Sequence, residues 1–293
     1  MPEEWLYFIE GQFLEIVFYV FGIGMGIRCL AFWITILKSQ KIFCPSFVWD
    51  KTGRALYLLG ASFLPFHRDL IKQPVYTILR YLFHACLFII PVFYSGHLNM
   101  LMDTSLGWYW EPIEDHYIDT ATLVLIGIGF FFIVRRLFFP EIRKQSSPVD
   151  IIMIMITTLP FITGYWYVNG TPVLFSFLED YMWYLHVFSG EVMIVMAVFL
   201  FIRTRLLSSR CVGCSSCTIS CPSGALEACE IGNKQRFFYS HYQCICCGGC
   251  VSTCPETAAV LRHEISIRLF FSFIRKKKIH EVVITRCKGC GQT

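Results

Sequence analysis

Cys211-Val212-Gly213-Cys214-Ser215-Ser216-Cys217-Thr218-Ile219-Ser220-Cys221-Pro222 and Cys244-Ile245-Cys246-Cys247-Gly248-Gly249-Cys250-Val251-Ser252-Thr253-Cys254-Pro255 carry one spacing pattern twice. Each reads C-x2-C-x2-C-x3-C-P, and every cysteine of the first string is displaced to its counterpart by the same interval, the mark of an internal duplication. Three closely spaced thiolates wrap three corners of a cubane cluster, while the fourth, followed by proline, turns away to the other cluster. On that rule Cys211, Cys214, Cys217 and Cys254 hold one [4Fe–4S] cluster, and Cys244, Cys247, Cys250 and Cys221 hold the second. Zinc is the alternative for any single C-x2-C, but two complete four-cysteine strings with both prolines fit the cluster pattern better.

Working outward, residues 208–265 resemble bacterial two-cluster ferredoxins. The resemblance implies short helices after each motif, at Ser223-Gly224-Ala225-Leu226 and Glu256-Thr257-Ala258-Ala259-Val260. Twelve of the fifteen cysteines lie between Cys211 and Cys290 at metal-ligand spacings, while Cys29, Cys44 and Cys86 are scattered, so this end belongs in a reducing compartment. Cys229 and Cys246 fall outside the strings and read as packed or incidental thiols. Cys287-Lys288-Gly289-Cys290-Gly291 is half of a zinc-ribbon or rubredoxin knuckle. Partner ligands completing it, a truncated chain and a simple reduced pair are all open.

Upstream the composition is different. The 293 residues are 55% hydrophobic, far from a soluble average, and the net charge of +4 is spread between apolar segments without a basic stripe, so nucleic acid is not a partner. Five apolar stretches, 12–37, 76–98, 120–139, 149–168 and 182–202, reach the roughly 20 residues that a membrane-spanning helix needs. The start at Met1-Pro2-Glu3-Glu4 lacks the basic region of a cleavable signal and reads as mature. Glu3, Glu4 and Glu10 precede the first stretch, and segments 99–119 and 169–181 carry only acidic charges. The alternate ends collect Lys38, Lys41, Lys51, Arg54, Arg68 and Lys72, then Arg135, Arg136, Arg143 and Lys144, then Arg203, Arg205 and Arg210. By the positive-inside rule the topology is N-out and C-in, with Trp108-Tyr109-Trp110, Trp166-Tyr167 and Tyr181-Trp183-Tyr184 forming an outer aromatic belt. Segment 38–75 is partly apolar and reads as an interfacial helix. The expected fold is a membrane all-α, five-helix bundle over 1–206, a small α+β two-cluster ferredoxin domain over 207–265, and an extension over 266–293. It sits in the cytoplasmic membrane of a prokaryote as a multi-pass protein, its ferredoxin domain in the cytoplasm.

Histidines are uncommon within bilayers and tend to be functional there. His84 and His97 fall in the second stretch and His186 in the fifth. A b-type haem takes one imidazole from each of two facing helices. His97 lies as far outward from Arg80 as His186 does from Arg203, about 25 Å at the rise of an α-helix. With both arginines at the inner interface those two histidines are level, and His84 lies deeper. Leu82-Phe83-His84, Gly96-His97 and His186-Val187-Phe188-Ser189-Gly190 resemble the gamma-subunit family of respiratory nitrate reductases, also used by membrane cytochromes of heterodisulfide-reductase-like complexes. That family carries two haems between such helices; here Thr204 stands where the inner histidine of the fifth helix would align. One haem on His97 and His186, a His84–His186 pairing or two haems, and no haem at all stay open. Gly190, one turn from His186, leaves room for a porphyrin edge or serves helix packing. Arg28, Arg80 and Glu15 read as boundary charges, with propionate pairing the functional alternative for the arginines, and Glu191 as part of a quinol-proton route.

These parts imply an electron-transfer subunit rather than a catalytic one. It links menaquinone or ubiquinone, through b haem and two [4Fe–4S] clusters, to a cytoplasmic redox subunit of heterodisulfide-reductase-like type. Gly22-Ile23-Gly24-Met25-Gly26 lies in a helical stretch and reads as packing surface, so no nucleotide fingerprint is present. The alternatives are a haem-free membrane polyferredoxin and a redox sensor or assembly scaffold.

Overall fold

The computed structural model describes residues 13–38, 74–103, 107–272 and 276–283. The acidic start, the 39–73 segment expected to lie along the interface, and the Cys287–Cys290 knuckle fall outside these residues.

Among the described residues, five helices are long and apolar enough to cross a membrane. They are α1 (Leu14–Lys38), α2 (Pro74–Phe93), α4 (Asp115–Phe138), α6 (Pro148–Asn169) and α7 (Met182–Phe199), the last led in by a 3-10 turn over Val173–Tyr181. Short helices α3 (Ser95–Met102) and α5 (Pro140–Gln145) lie between them. A helix satisfies every backbone group within its own segment, which is why such apolar runs take this form in lipid. Pro148 opens α6, and the Asp150 carboxylate accepts from the Ser147 amide at 2.6 Å. Phe88, Phe130 and Phe138 are 66%, 68% and 74% exposed on the helix surfaces. Such outward aromatics suit lipid and are consistent with a multi-pass membrane protein.

The chain divides into two compact units. In the first, the start of α1 joins α2 to α7. Its core is Phe83, Cys86, Ile90, Ile118, Leu125, Ile128, Phe132, Ile154 and Phe161, drawn from α2, α4 and α6. Gly129 permits the close approach of α4 and α6: a Cβ there would lie 2.7 Å from Thr158 Oγ1.

The second unit combines the rest of α1 with the C-terminal segment. Strands β1 (Leu200–Leu206) and β4 (Ala259–Ile265) form an antiparallel pair, and β2 (Leu226–Ile231), β3 (Lys234–Tyr239) and β5 (Lys277–Val283) form an antiparallel sheet in that order. Helical turns α8 (Ser216–Ile219), α9 (Gly249–Ser252) and α10 (Ile267–Phe270) complete it. Gly24 packs as expected of a helix surface, since a Cβ there would meet Val198 Cγ1 at 2.5 Å.

The structure differs from the sequence reading at four places. The second span is broken at Tyr94 into α2 and α3. The fifth helix stops at Phe199, and Leu200, Phe201 and Ile202 are strand, because β4 offers them a complete hydrogen-bonding partner and hydropathy alone does not separate a strand from a helix end. The small domain therefore starts before residue 207, and β5 carries its sheet beyond 265. The residues after each motif are not helices. Left-handed turns at Gly224 and Thr257 send the chain directly into β2 and β4, and the short helices lie within the motifs, around the third cysteine of each.

Candidate functional site

Each cysteine loop is bent by left-handed residues at matching points of the repeat. Gly213 corresponds to Cys246, Ser215 to Gly248 and Gly224 to Thr257, all with positive φ. Such turns point successive amide groups inward and make a concavity for negative charge. The Gly213 N–H bonds the Cys211 sulfur, the Cys246 N–H bonds Cys244, and the Ala258 N–H reaches Cys254 Sγ at 3.2 Å.

Cys211, Cys214, Cys217 and Cys254 line one pocket, with Leu206, Val212, Ser215, Phe237, Glu256 and Ala258 completing its wall. The fold thus brings three thiols of the first motif to the fourth of the second. Cys221 and Cys244 in turn both sit close enough to Cys247 and Cys250 to act on their charge. Burial pushes the Cys217 thiol up to about 11 and the Cys250 thiol to about 12, with the neighbouring thiols adding to the shift. Crowded thiols that resist ionising together give up their protons when iron supplies the positive charge. Among the described residues no three His, Cys, Asp or Glu side chains converge on a single-ion site. The thiols surround a volume, which suits a cubane better than one zinc ion. The residues present fit two [4Fe–4S] clusters.

The second set of thiols has additional neighbours. Thr204 Oγ1 lies 3.7 Å from Cys250 Sγ, and Ser223 Oγ lies 3.8 Å from Cys221 Sγ. The Cys246 thiol, the Tyr239 hydroxyl and the Thr204 hydroxyl hydrogen-bond the Cys244 sulfur, and together they hold that thiol below its ordinary range against burial. Thr204 is therefore a strand residue within the cluster domain and no counterpart of a helix histidine. Cys246, taken from sequence as incidental, touches a ligand position.

In the first unit the His97 and His186 rings lie 5.9 Å apart, with their planes within 3° of parallel. His97 Nδ1 donates to Pro91 O at 3.1 Å and His186 Nδ1 donates to Pro160 O at 2.9 Å. A carbonyl only accepts, so each Nδ1 carries the proton and each Nε2 keeps its lone pair for a metal. The break at Tyr94 makes this possible on α2. Three consecutive carbonyls released there are taken by distant donors: Pro91 by His97, Val92 by Trp110 Nε1 at 3.1 Å, and Phe93 by the Ile113 amide at 3.1 Å. On the facing side Gly164 is required, since a Cβ there would lie 2.8 Å from His186 Cε1. Two parallel imidazoles at this separation, each with an unprotonated Nε2, are residues that would hold a metal such as haem iron.

His84 is not in this arrangement. It is exposed, and its Nδ1 bonds Arg80 O of its own helix at 2.7 Å. Nothing lies within 4 Å of a Cβ built on Gly190, so open space adjoins it. Arg28 sits 4.6 Å over the Phe201 ring and donates to Val198 O, while Arg80 lies over Tyr81. These contacts occupy both arginines with protein groups. Glu191 is 1% exposed, and neither carboxylate oxygen has a hydrogen-bond partner. Pro160, Gly164 and Trp110 were not distinguishable in the sequence, because their roles depend on contacts between helices.

Fold and site together define an iron–sulfur electron-carrier domain joined to a region of membrane-spanning helices. Residues 204–258 match the family of 4Fe–4S dicluster domains, so this domain is present. A protein of Nitratidesulfovibrio vulgaris (strain Hildenborough) is 28% identical over 131 residues, which cover 44% of this chain and 54% of that protein. The match spans about half of the relative's length. No solved structure is significantly similar to the chain.

Proposed function

We propose that this chain is a membrane electron-transfer subunit. It passes electrons between a membrane quinone, menaquinone or ubiquinone, and a cytoplasmic redox subunit of heterodisulfide-reductase-like type. One b-type haem and two [4Fe–4S] clusters supply the one-electron chemistry when bound. The ligands are His97 and His186 for the haem, Cys211, Cys214, Cys217 and Cys254 for one cluster, and Cys221, Cys244, Cys247 and Cys250 for the other. The observation that carries the haem is the pair of parallel imidazoles 5.9 Å apart, each turned by a proline carbonyl so that Nε2 is free.

The protein's own residues hold, orient and protonate. Pro91 and Pro160 fix the rings, Gly164 clears space for His186, and the turns at Gly213 and Cys246 aim amides at sulfur. Glu191, a buried carboxylate whose oxygens have no hydrogen-bond partner, is the group proposed to exchange protons with a quinol. The charge pattern supports a cytoplasmic side for the cluster domain.

The test is a reduced-minus-oxidised absorption spectrum of the purified protein together with its iron content. We expect b-type bands and roughly eight non-haem irons, with the bands appearing on addition of a quinol. Clusters without b-type bands would leave a haem-free polyferredoxin and overturn the quinone-to-haem route. Bands and clusters that no quinol reduces would point to a sensor.

A further inference from the structure

The two halves of the cluster domain are repeats, so positions that correspond in sequence face corresponding sides of the two clusters. Four of these positions are not alike. Around the first set of thiols stand Leu206, Phe237, Glu256 and Gly213. Their counterparts around the second set are Tyr239, Thr204, Ser223 and Cys246. Thr204 Oγ1 and Ser223 Oγ lie 3.7 and 3.8 Å from the Cys250 and Cys221 sulfurs, and the Tyr239 hydroxyl and Cys246 thiol, which also reach Ile202 O and Cys244 O, stand within hydrogen-bonding reach of the Cys244 sulfur. At these four positions the difference is between apolar or anionic groups and hydrogen-bonding side chains; elsewhere on the first set the Ser216 hydroxyl lies 3.5 Å from Cys214 Sγ and the Ala258 N–H 3.2 Å from Cys254 Sγ.

Cys246 makes the point most directly. Its φ is 55°, a left-handed conformation that a side chain disfavours and that its counterpart meets with glycine. A cysteine kept there at a backbone cost reaches the Cys244 sulfur with its thiol. The neighbourhood is also more positive, since Arg28, 4.6 Å over the Phe201 ring, interacts electrostatically with Cys246. Reduction adds negative charge to the cluster sulfurs, and donors aimed at them bind the reduced form more strongly.

Resting on the cluster reading above, we infer that Thr204, Ser223, Tyr239 and Cys246 make the cluster on Cys221, Cys244, Cys247 and Cys250 the higher-potential one. A single electron in the domain then resides there. As that cluster passes from [4Fe–4S]²⁺ to [4Fe–4S]⁺, the cluster on Cys211, Cys214, Cys217 and Cys254 returns from [4Fe–4S]⁺ to [4Fe–4S]²⁺, and one electron is conserved. The domain has a resting position for the electron and a second, lower-potential station next to exposed Val212 and Cys214.

The full-length protein with its clusters, titrated with dithionite and followed by EPR, tests this. Wild type shows two separate one-electron steps. Cys246→Gly keeps all its iron, because glycine suits the left-handed backbone, and lowers only the higher step. Thr204→Val and Tyr239→Phe do the same, each by up to about tenfold in the reduction equilibrium, which is about 59 mV for one electron. Glu256→Gln raises only the lower step. Donor variants that leave both steps in place, or that move the lower one, overturn the assignment. Loss of half the iron in Cys246→Gly would make Cys246 a ligand and also overturn it. A wild-type protein without iron would overturn the cluster reading itself.

Discussion

A hydrogen bond to a proline carbonyl distinguishes the histidines at the level of single residues. His97 and His186 each surrender Nδ1 to such a carbonyl, while His84 spends its own on Arg80 O of the same helix and faces outward. Replacing His97 or His186 with alanine is therefore expected to abolish the b-type bands, and His84→Ala to retain them. Loss of the bands in His84→Ala alone would place the haem elsewhere. Gly164→Ala supplies a subtler check. Its methyl would press on the His186 ring, displace it from Pro160 O, and weaken haem retention by about ten- to a hundredfold, the usual cost of disturbing a group that orients a ligand. Haem content after washing in detergent reads that out, and full retention would show that the ring position does not matter.

At the level of elements, each cysteine loop serves both clusters. The cavity walled by Cys211, Cys214 and Cys217 is closed by Cys254, which belongs to the other loop and is set at the entrance to β4. We expect Cys214→Ala and Cys254→Ala to remove the same cluster, and Cys247→Ala and Cys221→Ala to remove the other, each reducing the iron from about eight to about four. Iron analysis with EPR distinguishes the pairs. If Cys254→Ala instead matched Cys247→Ala, each loop would hold its own cluster. The pairing of β1 with β4 matters for the same reason. It delivers Thr204 to Cys250, and its register is held on one side by the Arg203 and Arg205 contacts to Glu264, both at 3.0 Å.

For the molecule as a whole, the alternation of acidic and basic segments predicts orientation. A cysteine-labelling tag inserted at 171 should react from outside the membrane, and one inserted at 145 should not. The reverse result would put the cluster domain on the other side and exclude a cytoplasmic partner. Five long apolar helices and two cluster motifs were legible in the sequence, because length, hydropathy and ligand spacing are local properties. The meeting of His97 with His186 was also legible, through depth counted along helices, although the ruler used Arg203, which proved to lie in a strand. Its error was tolerable because only the last few residues of the count left the helix. What only the tertiary structure decided was the break at Tyr94, the strand beginning at Leu200, the need for Gly164, and the donors at Thr204, Tyr239 and Cys246. Each depends on a partner distant in the chain that satisfies a backbone group or approaches a side chain. Spacing and hydropathy report the neighbours that a residue has in sequence, while its hydrogen bonds and close contacts are made with the neighbours that folding supplies.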